Sequence, residues 1–557
     1  MPPLNPSDSP PEDKSIAPVP EAPSHDVLIT PPAPQSVATT EQPPQPKKHK
    51  KHPILRVMLI FITLVIILIL TLVGWIYARH ISITFGSKNK DISILRGAVF
   101  EGDMSQFAPT MGSDDSTLYL NRQIFEGLVR FKDQTKITPW LATSWNNPDD
   151  TTWVFTLKQG VKFHTGNTMT AKDVVYSYNQ LKQNSAYSYV FSTIKDVQAL
   201  GDNQVKITTK TVDPVLINRL ADMFIIDSTA DGKADPVYGT GPYELKPGTT
   251  ATKDQVNLVA FPDYHGGHIY THEVQVRVYS DQDTTATALG FLKGNLNIIG
   301  FVPSGVAATA KTLRFHINSK DDPSVYMLQF NTQDKNSPLA NLKIRQAIYQ
   351  TIDVPSLLEA IGRSDTGTIA DQVLSPLIPG YNPDIQRPPQ DTNAAHQLVK
   401  DAGYANGATI TLTVYSAAED AGKEIARQLA AVGITVKLDV RSDVTQLAAD
   451  QAAGKLEAAY FAEGSSIIDA SDVFQALDGV VYKNSAAEAL MQKADSTFDS
   501  TQRLEDLKQV SKILADDVAV VPLYTNRLQW ITDKAYIMPQ DELTNGFGVY
   551  LANVQMP

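Results

Sequence analysis

Ser192-Thr-Ile-Lys195 has the spacing of a serine nucleophile and a lysine base. On a helix the two side chains would lie one turn apart on the same face, as acyl transfer of this type requires. Two companion triplets are incomplete. Ser280-Asp281-Gln282 misses the last residue of S-D-N, and Lys311-Thr312-Leu313 that of K-T-G. The local pattern also opposes a helix, because Ile194, Val197 and Leu200 lead into a hairpin that turns at Gly201-Asp202-Asn203. His265, His268, His272 and Glu273 form a second cluster, and imidazoles at such spacings suit zinc or nickel. They read more simply as solvated loop histidines, so no metal site is expected. G-x-S-x-G, H-E-x-x-H and the phosphate loop G-x4-G-K-S/T are all absent. No enzyme and no cofactor is expected, and any associated ATPase would be a separate chain.

Composition narrows the choice. The 557 residues carry a net charge of −12, with no extended basic region in the large C-terminal part, so nucleic acid is not an expected partner. The absence of cysteine removes disulfides, thiol catalysis, thiolate metal sites and an acylated-cysteine anchor. Residues 1–53 hold 15 of the 35 prolines and little apolar content, which predicts a disordered tail. The basic run from Lys47 to His52 follows, and then 21 uncharged residues from Val57 to Tyr77. As a helix that stretch would be about 31 Å long, enough to cross a bilayer core, with Trp75 and Tyr77 at the interface. A cleaved signal peptide would be shorter and end in small residues, and Gly74 to Arg79 offers a poor site. The basic residues before the span outnumber those after it, which places the tail in the cytosol and the remainder outside. The expected plan is thus a proline-rich tail (1–53), an anchor in the bilayer (54–78), a linker (79–90) and an extracytoplasmic domain. A tail, one anchor and a large outer domain also describe penicillin-binding enzymes, but the incomplete triplets argue against them.

The extracytoplasmic part alternates strands and helices. Trp153, Phe155 and Leu157 define one face of a strand, and Val161 to His164 a second short strand. Thr170 and Asp173 make a capping box for a helix whose stripe is Val174, Val175, Tyr178 and Leu181. A hairpin over 197–209, a short helix over 213–222, strands at 255–260 and 273–279, a helix at 283–292 and a strand over 327–331 follow. Helices are expected at 338–351, 354–361, 392–402 and 501–516. Strands around Ile410 and Val436 flank a helix at 419–431, so they should be parallel with a right-handed crossover. Val518 to Tyr524 returns as a strand.

An ordered set of segments resembles one family. Glu126-Gly127-Leu128, Pro139 to Trp145, Trp153 to Gly166 and Thr170 to Ser177 are similar to the signature region of family 5 extracellular solute-binding proteins, the peptide-, dipeptide- and nickel-binding proteins of ABC importers. Gly239 to Tyr243, Phe330-Asn331-Thr332, Ile344 to Asp353, Ala402 to Tyr404, Gly433 to Val436 and Val521 to Tyr524 match in the same order. The resemblance covers roughly residues 91–535. It implies an α/β, two-lobed periplasmic-binding-protein-like fold of the class II type. The first lobe would span 91–325 with an inserted subdomain at about 133–239, the second 326–520, and 521–557 would return to the first.

The same resemblance implies a peptide ligand, with ABC permease and ATPase subunits as partners. It aligns Gly464 to Phe474 with the segment whose aspartate meets a ligand's ammonium. That makes Asp469 the candidate anchor and Asp472 the next, with Ser465 and Ser466 beside them. Asp469 serves equally as an N-cap for a helix starting near Ser471. Here a serine replaces the family's tryptophan, one residue is inserted and the proline is missing. Ser113, Asp114 and Asp115 align with a first-lobe loop that meets ligand, and also read as turn or cap residues. Asn331 lies where the chain enters the second lobe, with its amide able to bond a ligand backbone. Nickel chelates, oligosaccharides and a transport-independent surface sensor or scaffold remain open as alternatives.

Overall fold

The computed structural model describes residues 94–555, except 101–103, 107–108, 110–114, 133, 231–237, 280–289, 292, 301–303, 466, 478–480, 537 and 539–548. The expected tail, anchor and linker, and most of the helix expected at 283–292, lie outside the described residues. Among the described residues no helix is long and apolar enough to cross a membrane.

Strand β1 (Ile94–Phe100) precedes helix α1 (Asp115–Ile124) and the hairpin of β2 (Val129–Lys132) and β3 (Lys136–Pro139). An antiparallel sheet follows in the order β4-β5-β7-β6: β4 (Ala142–Asp149), β5 (Thr152–Leu157), β6 (Ile194–Leu200) and β7 (Gln204–Thr209). Trp153, Phe155 and Leu157 of β5 are buried, as their alternation predicts. Helix α2 (Ala171–Leu181) carries the expected box, with the Thr170 N–H donating to the Asp173 carboxylate at 2.8 Å. That carboxylate also accepts from the backbone and hydroxyl of Ser228, so the cap fastens the helix to a distant loop. One expected strand is absent, and the short helix expected over 213–222 is confined to four residues. Val161 to His164 forms no strand, only a bridge from Lys162 to Thr168 around a turn at Gly166 (φ +88°). Residues 213–222 contain a single helical turn, Leu216–Arg219.

The remaining strands join β1 in one large sheet. They are β8 (Tyr243–Leu245), β9 (Gln255–Ala260), β10 (Glu273–Tyr279), β11 (Ile298–Ile299), β12 (His316–Phe330), β13 (Thr368–Ile369), β14 (Ala408–Tyr415), β15 (Ile434–Arg441), β16 (Ala458–Glu463) and β17 (Val520–Thr532). Their order is β15-β14-β16-β12-β17-β11-β1-β10-β9-β8, with β13 against β17. Helices α3 (Leu342–Thr351), α4 (Val354–Ala360), α5 (Thr392–Asp401) and α6 (Glu419–Ala430) cover the part around β14 to β16. The β14-α6-β15 unit is parallel, with Ala408 opposite Ile434. Helices α7 (Ala470–Leu477), α8 (Ser485–Asp495) and α9 (Ser500–Asp516) complete the set used below.

The apolar interior divides into two principal cores. One gathers the early strands and helices together with Phe474, Leu507 and Val510 of α7 and α9. The other gathers α3 to α6 with β14, β16 and the adjoining ends of β12 and β17. Strands β12 and β17 pass between them, paired from His316–Thr532 to Gln329–Val520. The ladder slips twice. Between Asp321–Arg527 and Val325–Thr525, three residues of β12 face one of β17; a second shift falls between Tyr326 and Met327. Pro323 lies in the first irregularity and Pro522 borders the second. A proline supplies no ladder donor, so a bulge is where an interior strand tolerates one.

The first core is organised around one buried carboxylate. Glu126 accepts from Trp140 Nε1, from Thr240 Oγ1 at 2.7 Å, from Tyr264 Oη at 3.0 Å and from His265 Nε2 at 2.7 Å. Burial pushes this carboxyl up, but His265, Thr240 and Trp140 outweigh it and hold it below the usual carboxylate range. His265 is therefore not the solvated loop residue expected. Its side chain is only 8% exposed, and its Nδ1 lies 3.1 Å from Lys158 Nζ. An ammonium only donates, so Nδ1 accepts and Nε2 carries the hydrogen given to Glu126. The close approach depends on glycine: a Cβ at Gly239 would stand 2.1 Å from the Ile124 carbonyl oxygen, and one at Gly241 2.6 Å from it. Two outcomes are expected in urea unfolding. Glu126→Gln should cost about 3 kcal/mol, because an amide nitrogen would face donors. Gly239→Ala should cost about 1–3 kcal/mol or more through the backbone clash.

Candidate ligand-binding site

Three segments converge beside the β12–β17 crossing. From the first lobe, Gln134 at the tip of the β2–β3 hairpin donates to the Asp321 carbonyl oxygen at 3.1 Å. On β12, the Asp322 carboxylate accepts from Ser324 N at 2.9 Å and shapes the bulge. From the second lobe, β16 ends at Glu463 and runs through Gly464 into the loop before α7. A Cβ at Gly464 would stand 2.4 Å from Ser324 Oγ, so the loop starts in direct contact with the bulge.

That loop is tightly fastened. Asp469 is 2% exposed, and both of its oxygens meet the Arg503 guanidinium, at 2.6 and 2.7 Å. Asp469 Oδ1 also accepts from Ser471 N at 2.9 Å, the first turn of α7. The capping reading of Asp469 is thus the geometry observed, with a bidentate pair added, and its carboxylate is committed within the protein. Ser465 Oγ accepts from Asp469 N at 2.9 Å and donates to Asp472 Oδ2 at 3.1 Å. Ile468 has φ +53° although it is β-branched and 1% exposed, a conformation that a branched side chain adopts only under constraint from its surroundings. One constraint comes from a distant part of the chain, where Asn218 Nδ2 donates to the Ile467 carbonyl oxygen at 2.8 Å. A second long-range contact is an edge-on packing of Trp153 and Phe498, with ring centroids 5.7 Å apart.

The other expected residues fall as follows. Ser113, Asp114 and Ser466 lie outside the described residues. Asp115 opens α1. Asn331 is occupied within the second lobe at both ends of its amide, donating to the Gly454 carbonyl oxygen at 2.8 Å and accepting from Gln333 N at 3.0 Å. Ser192 ends a one-turn helix and Lys195 lies in β6, so they share no helical face. Among the described residues no group of three His, Asp or Glu side chains is arranged to hold a metal.

Two features escape the sequence reading. Tyr326 and Tyr524 stack on neighbouring strands with centroids 4.6 Å apart, Tyr460 and Tyr524 share a hydroxyl hydrogen bond of 2.6 Å, and Arg363 lies over Tyr326. On the other face of the sheet stands Glu463, opposite Val325. Burial first, and the neighbouring Asp472 carboxylate second, push its carboxyl up to about 7. A charged residue closing the otherwise uncharged run Ala458-Ala-Tyr-Phe-Ala is the signal that marks it in the sequence.

Comparison with known proteins agrees with this architecture. The profile described as bacterial extracellular solute-binding proteins, family 5 middle, matches residues 136–485. Heme-binding protein A of Haemophilus influenzae is 31% identical over 331 residues, which span 52% of this chain and 58% of that protein. The nickel-binding periplasmic protein of Escherichia coli is 24% identical over 454 residues, 76% of this chain and 84% of that one. Among solved structures, the periplasmic binding protein DppA of Helicobacter pylori in complex with the peptide STSA superposes with a TM-score of 0.69 at 23% identity. That likeness of fold covers 83% of this chain and 98% of the other. Two α/β lobes joined through shared strands are the fold of periplasmic binding proteins, and the chain belongs to the family 5 bacterial extracellular solute-binding proteins.

Proposed function

We propose that this chain is the membrane-anchored binding component of an ABC import system, with the stretch at 54–78 as its anchor and its lobes outside the cytoplasm. It captures peptides by closure of the lobes and delivers them to a permease driven by separate ATPase subunits. One observation carries the reading: two principal cores share the long β12–β17 pair, and that pair is bulged where the chain passes between them. A bulge lets the twist of a ladder change without breaking it, as a hinge needs. The long-range bond from Asn218 and the contact of Trp153 with Phe498 are those expected to form on closure. No covalent chemistry is required, because a closed cleft excludes water and strengthens the polar contacts a ligand makes.

Within the cleft, Ser465 and Asp469 hold the loop, and Asp472 is the more open of its two aspartates. Ser113, Asp114, Asp115, Ser466 and Asn331 belong to the same proposed site as loop and edge positions.

Thermal unfolding of the full chain against pools of two- to five-residue peptides tests the reading. Peptide at 100 times its dissociation constant should add about 2.7 kcal/mol of stability and raise the midpoint accordingly. Nickel–histidine chelates, hemin and oligosaccharides form the comparison arms. A response confined to one of those arms would move the ligand class, and no response to any arm would favour a transport-independent surface role. Two substitutions separate holding from binding. Asp469→Asn should lower the unliganded midpoint, by about 3 kcal/mol in stability, because Arg503 is left buried and unpaired. Asp472→Asn should leave that midpoint within about 0.5 kcal/mol and change peptide affinity instead.

A further inference from the structure

We infer that Glu463 is the residue that selects a cationic group in the ligand, pairing with a primary ammonium or a guanidinium at the hinge end of the cleft. The inference rests on the proposed binding function and names the side chain that sets its specificity.

Placement carries the argument. Glu463 is the last residue of β16 and pairs with Val325, the first residue of β12 past the bulge. Its side chain is on the face that Val325 and Met327 turn toward the first core, away from the tyrosine stack. Gly464 next to it touches Ser324 of the bulge, and the loop beyond receives the Asn218 bond from a distant part of the chain. Glu463 therefore stands where these segments and the hinge meet.

Its chemistry there is incomplete. Every other carboxylate of this corner has a partner. Asp469 has Arg503, Asp472 has Ser465, and Asp322 has the Ser324 backbone. Among the described residues none donates to Glu463 or forms an ion pair with it, and the charged group acting on it is Asp472, from α7. A half-buried carboxylate with no donor, beside another carboxylate, is costly when ionised. A ligand cation removes that cost, whereas a neutral or anionic group does not. The loop offers no cation of its own, since Arg503 is taken by Asp469 and Asp495.

The proton follows from the same arrangement. In the unliganded protein Glu463 holds its proton up to about pH 7. A cation entering the site favours the ionised form, so binding below that pH releases one proton to solvent. The linkage also acts on folding. The folded chain holds this proton more tightly than an unfolded chain would, so stability from Glu463 is present below about pH 4.5 and lost as pH rises through about 7.

Isothermal titration of the full chain with matched tetrapeptides tests the pairing. One peptide has a free N-terminus without Lys or Arg, one is N-acetylated with an internal Lys, and one is N-acetylated with neither. Putrescine serves as a non-peptide cation. At least one cationic probe should bind on the order of 10- to 100-fold more tightly than the doubly neutral peptide, and the first two arms tell a terminal ammonium from a side chain. E463Q should abolish that preference. In wild type the affinity should rise between pH 6 and 8 with proton release below pH 7, and in E463Q both should disappear. D472N keeps Glu463 but removes the neighbouring charge, so its pH midpoint should move lower. Thermal midpoints at pH 8 report that both variants are folded. Equal affinity for cationic and neutral peptides, or a preference that survives in E463Q, overturns the inference and leaves peptide binding standing. Putrescine binding that E463Q abolishes, with no peptide bound, overturns the peptide reading and leaves the cation site standing.

Discussion

The hydrogen bonds converging on Glu126 are the constraint on which the first lobe depends. A carboxylate buried this deeply survives only if its lone pairs are filled, and here they are filled from three separate stretches of chain: Trp140, Thr240, and the adjacent pair Tyr264 and His265. The glycines at 239 and 241 let one of those stretches lie against the Ile124 backbone, so the donors arrive at the right depth. Arg130, stacked on Trp140 at 3.5 Å, and Lys158, on His265, extend the network toward the surface. The Glu126-Gly127-Leu128 segment and the Gly239 to Tyr243 segment are thus two halves of one contact, separated by more than a hundred residues of sequence.

The second constraint is the β12–β17 pair. A sheet continuous across two lobes would resist their relative motion if its ladder were regular throughout. The bulge at Asp322 to Ser324 interrupts it at the crossing, and Pro323 and Pro522 ensure that no complete ladder forms there. Stiffness is kept on either side, where each half of the pair is built into its own core.

Local order in this chain was largely legible from sequence. The capping box at Thr170, the alternation in β5, the β6–β7 hairpin and the parallel β14-α6-β15 unit all rest on short-range patterns, and the structure contains them. What was not legible depends on distant partners. His265 looks like a loop residue until Glu126, 139 positions away, is placed beside it. Asp469 presents the same sequence signal whether it meets a ligand or caps α7, and only Arg503, 34 positions on, shows where its oxygens point. The full length of β12 and β17 is not legible because stretches such as His316 to Asp321, with its charged residues, lack the apolar alternation that marks a strand. The charge that closes the Ala458–Ala462 run marks Glu463 as the end of a strand, but the absence of a donor beside it is set by distant segments.

The bond between Asp469 and Arg503 also has a mechanical side. Arg503 lies in the first turn of α9, a helix of 17 residues and so about 25 Å long. Only residues 517–519 separate its far end from β17, and there Arg345 grips the carbonyl oxygens of Asp517 and Val518 at 2.7 and 3.0 Å. The Asp469 loop is therefore bolted to one end of a rigid rod whose other end feeds β17. The Asp469 loop and the start of β17 are thus the two ends of one rigid element, so neither can be displaced independently of the other.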